Sequence, residues 1–99
     1  MIVIRRLLWD TWNISHIARH GVIPDEVEYV CQHNPLVIRG KIRKRVVLVG
    51  VTMEKRLLGV VLENHGEGKY YPLTAYDALT EDRVLYERER GGERDETEK

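Results

Sequence analysis

The chain has 99 residues, of which 42% are hydrophobic, and this corresponds to one domain with one core. The formal net charge is zero, the longest apolar runs are far too short to span a bilayer, and no leader-like segment opens the chain. The only cysteine cannot form an internal disulfide, so we expect a reduced cytoplasmic protein that does not cross a membrane.

Positive charge is concentrated in one short stretch. Five of seven consecutive positions are basic, namely Arg39, Lys41, Arg43, Lys44 and Arg45. A local field of this kind attracts polyanions whatever the total charge, and RNA is the expected partner. The stretch leads into a predicted strand, so alternate side chains point to opposite faces and only part of the set can bind one ligand. The alternative is a solvated strand edge that discourages sheet pairing.

A first helix is predicted over about 11–20, capped by Asp10 and ended by Gly21. Ile14, Ile17 and Ala18 share one face, and the spacing predicts that this face packs on the core. The other side carries Trp12, His16, Arg19 and His20. In a nucleic-acid site these side chains would provide a stacking surface, proton carriers and a phosphate contact. The alternative is a solvated polar face on which the histidines have no role.

A second helix is predicted from Pro24 until Asn34-Pro35, with acidic residues in its first turn. Its expected core positions are Val27, Val30 and Cys31. The spacing of His16 and His20 also permits a zinc site completed by Cys31 and His33, but no paired cysteine motif supports one. We therefore expect no metal and no cofactor.

The middle of the chain changes to the alternating pattern of strands. Strands are predicted at about 44–52, 56–64 and 69–75, with a further short strand at 2–8. The loops at 52–55 and 64–68 predict hairpin connections, the second supplied with glycines. The predicted fold is α+β, with two N-terminal helices, an antiparallel sheet of three to four strands and a C-terminal helix.

The C-terminal helix is predicted over about 80–90, with Thr80 as its N-cap and with Val84 and Leu85 facing inward. After the glycine pair at 91–92 the sequence contains no apolar residue. We therefore predict a single domain over 1–90 and a disordered charged tail over 91–99.

Several short motifs in chain order resemble the BrnT family, the ribonuclease toxins of bacterial type II toxin–antitoxin pairs. The matching pieces are Trp9-Asp10-x-x-Asn13, Arg19-His20-Gly21-Val22, the segment PDEVEYV from Pro24, Arg45-x-x-x-x-Gly50, Arg56-Leu57-Leu58, and Thr74-Ala75 before Ala78 and the last helix ending near Tyr86. The resemblance implies a compact RelE-like α+β fold. It also implies an RNA substrate and a small ribbon-helix-helix antitoxin as protein partner, and it leaves a homodimer open.

The resemblance implies that His20, Arg45 and Arg56 are the catalytic residues of a metal-independent endoribonuclease. Arg43, Lys44, Tyr71 and Tyr76 join the residues expected to bind RNA. Family members usually carry arginine at the positions of the two tyrosines, and a phenol supplies no positive charge at neutral pH. We therefore expect slower cleavage, or, as the alternative, a catalytically inactive domain that binds RNA or a protein partner.

The implied reaction is attack of a ribose 2′-hydroxyl on the adjacent phosphorus with loss of the 5′-oxygen. It needs a proton acceptor, a proton donor and cations for the charge on the phosphorane. Histidine as a residue type titrates near neutral pH, and arginine is a permanent cation that can hold two phosphate oxygens.

Overall fold

A computed structural model describes residues 2–39 and 42–98, and it describes the side chains of 2–38 and 42–90. The elements in chain order are β1 (Arg6–Leu7), α1 (Thr11–Ala18), α2 (Pro24–Gln32), β2 (Leu36–Arg39), β3 (Arg45–Val51), β4 (Leu57–Asn64), β5 (Lys69–Asp77) and α3 (Thr80–Glu98). The α+β class is therefore confirmed, as are the two N-terminal helices and the three longer strands.

The sheet has five strands in the order β1-β5-β4-β3-β2. Three of its four pairings are antiparallel, whereas β1 lies parallel to β5, with Arg6 opposite Lys69 and Leu7 opposite Tyr70. The sheet predicted to be antiparallel with three to four strands thus has five strands and one parallel pairing. The missed strand is β2, whose four residues are too few to show a hydrophobic period.

Alternation along β4 divides the sheet into two faces. Leu58, Val60 and Leu62 are fully buried and belong to one core cluster with α1 and α2. The other members of this cluster are Leu7, Ile17, Val22, Val27, Val30, Val46, Leu48, Tyr70 and Ala75. The intervening residues of β4 are on the opposite face, where Gly59 pairs with Tyr76 and Glu63 with both Arg45 and Tyr71.

The buried face of α1 differs from the predicted one. Ile17 is buried as expected, but Ile14 is 40% exposed and Ala18 is exposed, whereas Asn13 is fully buried. The Asn13 amide donates to the backbone carbonyls of Leu8 at 2.9 Å and Pro72 at 3.1 Å. Its Oδ1 accepts from the backbone N–H of Asp10 at 2.9 Å, so the buried polar group is satisfied.

The Asp10 cap is as predicted, because its carboxylate accepts from the backbone N–H of Asn13 at 2.9 Å. This hydrogen bond, together with others from Tyr71 and the backbone of Trp12, lowers the pKa of Asp10 below its ordinary value. On α2, Val27 and Val30 are buried and Cys31 packs half-buried against the core, which matches the prediction.

The last helix begins at the predicted residue but continues past the glycine pair to Glu98. Its predicted inward face is wrong in part, because Val84 is 55% exposed while Leu85 is partly buried. The predicted disorder of the tail falls on 91–99, whose side chains lie outside the described residues, so it stays a prediction. Among residues 2–39 and 42–98, no helix combines the length and apolar character needed to cross a membrane.

Candidate nucleic-acid site

The three residues expected to act together in catalysis lie at two ends of the sheet. In the β3–β4 pair, Arg45 is opposite Glu63, and Val51 is opposite Leu57, which directly follows Arg56. Arg45 and Arg56 are therefore separated by nearly the full length of β4, roughly 20 Å at the rise of a strand. His20 lies at the Arg56 end. The fold therefore brings His20 and Arg56 together but places Arg45 at the other end of the sheet.

Arg56 is held by the protein itself. Its Nε donates to Asp77 Oδ1 at 2.6 Å, its Nη1 to the carbonyl of Gly21 at 2.8 Å, and its Nη2 to the carbonyl of His20 at 3.1 Å. Glu26 Oε1 lies 3.5 Å from Nη1. The guanidinium thus connects the end of α1, the start of α2 and the end of β5. These contacts indicate that Arg56 has a structural role.

Arg56 and Asp77 shift each other's pKa values. Hydrogen bonding to Asp77 raises the pKa of Arg56, and hydrogen bonding to Arg56 lowers the pKa of Asp77. Arg83 and His20 lower the pKa of Asp77 further through their charge. At the Asp77 end of the sheet, Arg56 thus forms ion pairs with both Asp77 and Glu26.

The opposite end of the sheet carries a second group, which we call the loop-end cluster: Arg45, Glu63, His65, Tyr71 and Asp10. His65 Nε2 lies 3.0 Å from Glu63 Oε1, and Arg45 Nε lies 3.9 Å from Glu63 Oε2. The His65 ring stacks on Tyr71 with 5.7 Å between ring centroids, and the Tyr71 hydroxyl donates to the Asp10 carboxylate at 2.9 Å. The side chains of Arg45, Glu63 and His65 are between 35% and 41% exposed, so a substrate can reach them.

The loop between β4 and β5 places His65 in this cluster. Gly66 and Gly68 have φ values of 89° and 80°, a region that favours glycine. The Asn64 side chain accepts from the backbone N–H of Gly66 at 2.8 Å, and the backbone N–H of His65 donates to Lys69 at 2.8 Å. The backbone N–H of Asn64 donates to the carbonyl of Lys44 at 2.7 Å, which holds the basic stretch beside the loop.

Positive charge predominates at this end of the sheet. Its basic residues are Arg5, Arg6, Arg43, Lys44, Arg45 and Lys69, and its acidic residues are Asp10, Glu63 and Glu67. The predicted RNA contacts Arg43 and Lys44 are exposed here beside Arg45, while the side chains of Arg39 and Lys41 lie outside the described residues. A ligand with several phosphates fits this field.

His65 was not singled out from the sequence, because it lies in a glycine-rich turn that has no periodic pattern. The signal that could have found it is the short spacing Glu63-x-His65 at the end of a predicted strand. Pairing of β3 with β4 then brings Arg45 opposite Glu63. Strand register, and not composition, assembles this group.

The two tyrosines that stand where arginines are expected also lie at different ends. Burial, followed by the hydrogen bond to Asp10, raises the pKa of Tyr71. Burial, followed by the charge of Asp82, raises the pKa of Tyr76. Both phenols are therefore neutral at physiological pH. The Tyr76 ring lies over Gly59, where an added Cβ would be 2.6 Å from Tyr76 Cε1.

Four aromatic side chains form a row along α1, which we call the aromatic row: Trp12, His16, His20 and Tyr76. Trp12 stacks on His16 with 4.9 Å between centroids and 6° between planes. His16 contacts His20 edge-on at 5.9 Å, and His20 contacts Tyr76 edge-on at 6.5 Å. Arg19 lines an open depression beside Trp12 and His16. The predicted RNA-binding residues therefore lie in two places: some in or beside this row, with Arg19, and the others in or beside the loop-end cluster, with Arg43 and Lys44.

The residues that the structure describes form no candidate metal site. No three His, Cys, Asp or Glu side chains of those residues are placed to hold a metal ion, so His16, His20, Cys31 and His33 are not brought together. Burial, followed by the nearby charge of Glu28, raises the pKa of Cys31 to about 12. His33 instead stacks on Tyr29, with its Nδ1 2.7 Å from the carbonyl of that residue.

Comparison with solved structures identifies the fold. The chain superposes on the crystal structure of the Brucella abortus ribonuclease toxin BrnT with a TM-score of 0.61, covering 76% of this chain and 97% of that one. It has a BrnT-like fold. The two sequences are 18% identical over the match, so the likeness concerns the fold alone. No protein-family model and no curated protein sequence matches the chain.

Proposed function

We propose that this protein is a toxin-type endoribonuclease that cleaves RNA at the loop-end cluster without a metal ion. The observation that carries the proposal is the Glu63–His65 pair beside Arg45, at the basic end of a sheet whose fold is that of a ribonuclease toxin. A proton-transfer pair and a cation within one exposed group are what phosphodiester cleavage requires.

In the proposed reaction, the ribose 2′-oxygen forms a bond to the adjacent phosphorus and gives up its proton. The bond from phosphorus to the 5′-oxygen breaks, and that oxygen takes a proton. Glu63 binds the Nε2–H of His65 and so orients the imidazole, leaving Nδ1 to exchange the proton with RNA. Arg45 stabilises the additional negative charge on the phosphorane.

Under this proposal the predicted residues have different roles. Arg45 keeps its predicted place in catalysis, and Tyr71 contributes a neutral ring for stacking and a hydroxyl. Arg56 fixes the end of α1 through its contacts with the carbonyls of His20 and Gly21. His20 belongs to the aromatic row, about the length of β4 away from Arg45, and acts in RNA binding.

A toxin-type ribonuclease has to be restrained in the cell that makes it. We propose that a small antitoxin of the ribbon-helix-helix class binds this protein in the cytoplasm, as the family resemblance implies. A partner of this kind would inhibit most directly by covering the exposed side chains of Arg45, Glu63 and His65.

Binding of RNA without cleavage is the second candidate function. It is favoured by the contacts of Glu63, which lies near both His65 and Arg45 and so reduces the positive charge that Arg45 can offer to the phosphorane. The two tyrosines in place of arginines favour it as well, because they reduce the positive charge available to a transition state.

Cleavage of a labelled single-stranded RNA in the presence of EDTA tests the proposal. We expect His65→Ala and Glu63→Gln to lower the cleavage rate by about 10²–10⁴, the usual contribution of general acid–base catalysis. His33→Ala is the matched control, since His33 is an exposed histidine on another element. Full activity of His65→Ala together with loss in His20→Ala would refute the loop-end site.

The salt dependence of binding separates the two candidates from a protein that does not recognise RNA. Affinity should fall steeply between low and physiological salt, because each neutralised phosphate releases counterions. Steep salt dependence without cut fragments would establish the second candidate. Absence of binding at low salt would remove both.

A further inference from the structure

The exposed side of α1 carries a depression that the proposed cleavage site does not use. It has a volume of about 600 Å³ and is lined by Thr11, Trp12, Ser15, His16 and Arg19. Trp12 is 58% exposed within it. A large aromatic side chain held open to solvent beside hydroxyls and a cation is a surface suited to a ligand that has both a flat ring and a charge.

Trp12 is held in a defined orientation. His16 stacks on one face of the indole with 4.9 Å between centroids and 6° between planes. His16 is in turn held by an edge-on contact with His20 at 5.9 Å. One face of the indole is therefore supported and the exposed remainder can take a planar ring with little loss of side-chain freedom.

Arg19 lies two helical turns beyond Trp12, on the same side of α1. The rise of an α-helix separates the two by roughly 10 Å, with Ser15 between them. A nucleotide has a flat base at one end and a phosphate at the other, and long side chains at this spacing can contact both. Arg19 supplies the cation for the phosphate, and Ser15 supplies a hydroxyl for hydrogen bonding.

We propose that this depression is a subsite for one unpaired nucleotide of an RNA chain, with the base against Trp12 and a phosphate on Arg19. The identity of the ligand rests on the proposed function. Asp10 begins α1 and binds Tyr71, so the subsite adjoins the loop-end cluster. The substrate class is then single-stranded RNA, because a paired base cannot present its face to the indole.

Tryptophan fluorescence can test the subsite with a 2′-O-methyl oligouridylate, which binds but cannot be cleaved because its 2′-oxygens are blocked. Trp9→Phe leaves Trp12 as the reporter, since Trp9 is the other tryptophan and donates from Nε1 to Glu28 at 2.9 Å. We expect the oligonucleotide to quench emission in Trp9→Phe and not in Trp12→Phe.

Affinity measurements complete the test. Trp12→Ala and Arg19→Ala should each weaken binding of the oligonucleotide about tenfold. Arg88→Ala is the matched control, an exposed arginine on α3, and should leave binding unchanged. A duplex of the same oligonucleotide with a 2′-O-methyl oligoadenylate should bind more weakly than the single strand.

The subsite would be overturned by Trp12 emission that does not change at saturation, or by equal affinity for duplex and single strand. Loss of a self-associated species in Trp12→Ala, measured by sedimentation, without any effect on oligonucleotide binding would show a protein contact instead and overturn it as well. Quenching in a protein that does not cut RNA would refute only the cleavage proposal. Cleavage without quenching would refute only the subsite.

Discussion

Replacement of Arg56 by alanine separates a structural role from a catalytic one. The change removes the hydrogen bonds to the carbonyls of Gly21 and His20 and the ion pairs with Asp77 and Glu26. A hydrogen bond from a charged group contributes roughly 1.5–3 kcal/mol when well shielded, and an exposed ion pair roughly 0.2–1 kcal/mol.

The exposure of the partners determines where in these ranges the contribution of each Arg56 contact lies. The Arg56 side chain is 29% exposed and that of Asp77 is 68% exposed, so the ion pair belongs at the low end. The contacts with the two carbonyls are therefore the larger part, and we expect a loss of about 2–3 kcal/mol of unfolding free energy in total. For a domain of this size that corresponds to a fall in Tm of about 10–20 °C.

The dependence on pH follows from Asp77. Its pKa in the folded protein is lowered below the ordinary value of 3.8, so the part of the stabilisation that the Arg56–Asp77 ion pair contributes is present above that value and is lost as pH falls through the folded pKa. The difference in stability between wild type and Arg56→Ala should therefore be largest near neutral pH and should shrink below about pH 4.

Thermal and urea unfolding, followed by circular dichroism at pH 3 and pH 7, measure this difference. Arg56→Lys should lie between wild type and Arg56→Ala, because lysine keeps the charge but lacks the planar fork. Arg88→Ala should match wild type. An Arg56→Ala protein that is fully stable yet has lost RNA cleavage would refute the structural role and restore the catalytic one that the family resemblance implies.

Three further predictions concern single side chains. Tyr71→Arg should raise the rate of RNA cleavage about tenfold or more, because it adds a cation beside His65. Tyr76→Arg, at the other end of the sheet, should not raise it. The reverse order of rates would place the active site at Tyr76. Gly59→Ala should lower the free energy of unfolding by about 1–3 kcal/mol, because the new Cβ meets the Tyr76 ring. The loss should be smaller in a Tyr76→Ala background, and equal losses in urea unfolding would contradict this. Cys31, with its pKa raised to about 12, should resist iodoacetamide at pH 8 in the folded protein and react after unfolding. Mass spectrometry would measure the labelling, and rapid labelling of the native protein would disprove the burial of the thiol.

Local patterns predicted most of the fold. Alternating apolar residues located β3, β4 and β5 within one or two residues, and Asp10 and Pro24 marked where α1 and α2 begin. These signals act between near neighbours in the chain, so the sequence carries them directly. The parallel pairing of β1 with β5 is absent from such patterns because it depends on where the finished sheet leaves an edge free.

The buried face of α1 could not be read in the same way. Ile14 and Ala18 have the spacing of core residues, yet Asn13 takes the buried position because a carbonyl of Pro72, 59 residues away, accepts its amide proton. A polar residue enters a core when its hydrogen bonds are supplied there, and that supply is a property of the folded chain.

The separation of Arg45 from Arg56 could have been predicted from the sequence, although the family resemblance implied that both belong to one catalytic site. Two predicted strands joined by a short loop form a hairpin, in which residues at the start of one strand lie beside the end of the other. Arg45 starts the first strand and Arg56 directly precedes the second, so a hairpin must place them at opposite ends. The Glu63–His65 pair needed that same register to be recognised beside Arg45.

The contact of α1 with β5 has a consequence for the order in which the molecule is assembled. Asn13 binds the carbonyl of Pro72, and Asp10 binds the Tyr71 hydroxyl across 61 positions of sequence. Closing so long a loop is slow and must precede any gain from the contacts it makes. During synthesis, therefore, α1 leaves the ribosome well before the strand that seats it, and the loop-end cluster is complete only once residues through Tyr71 have been added. A nascent chain that ends before β5 has Arg45, Glu63 and His65 but no phenol beside the histidine, so the ring that stacks on His65 is added after the three proposed catalytic residues.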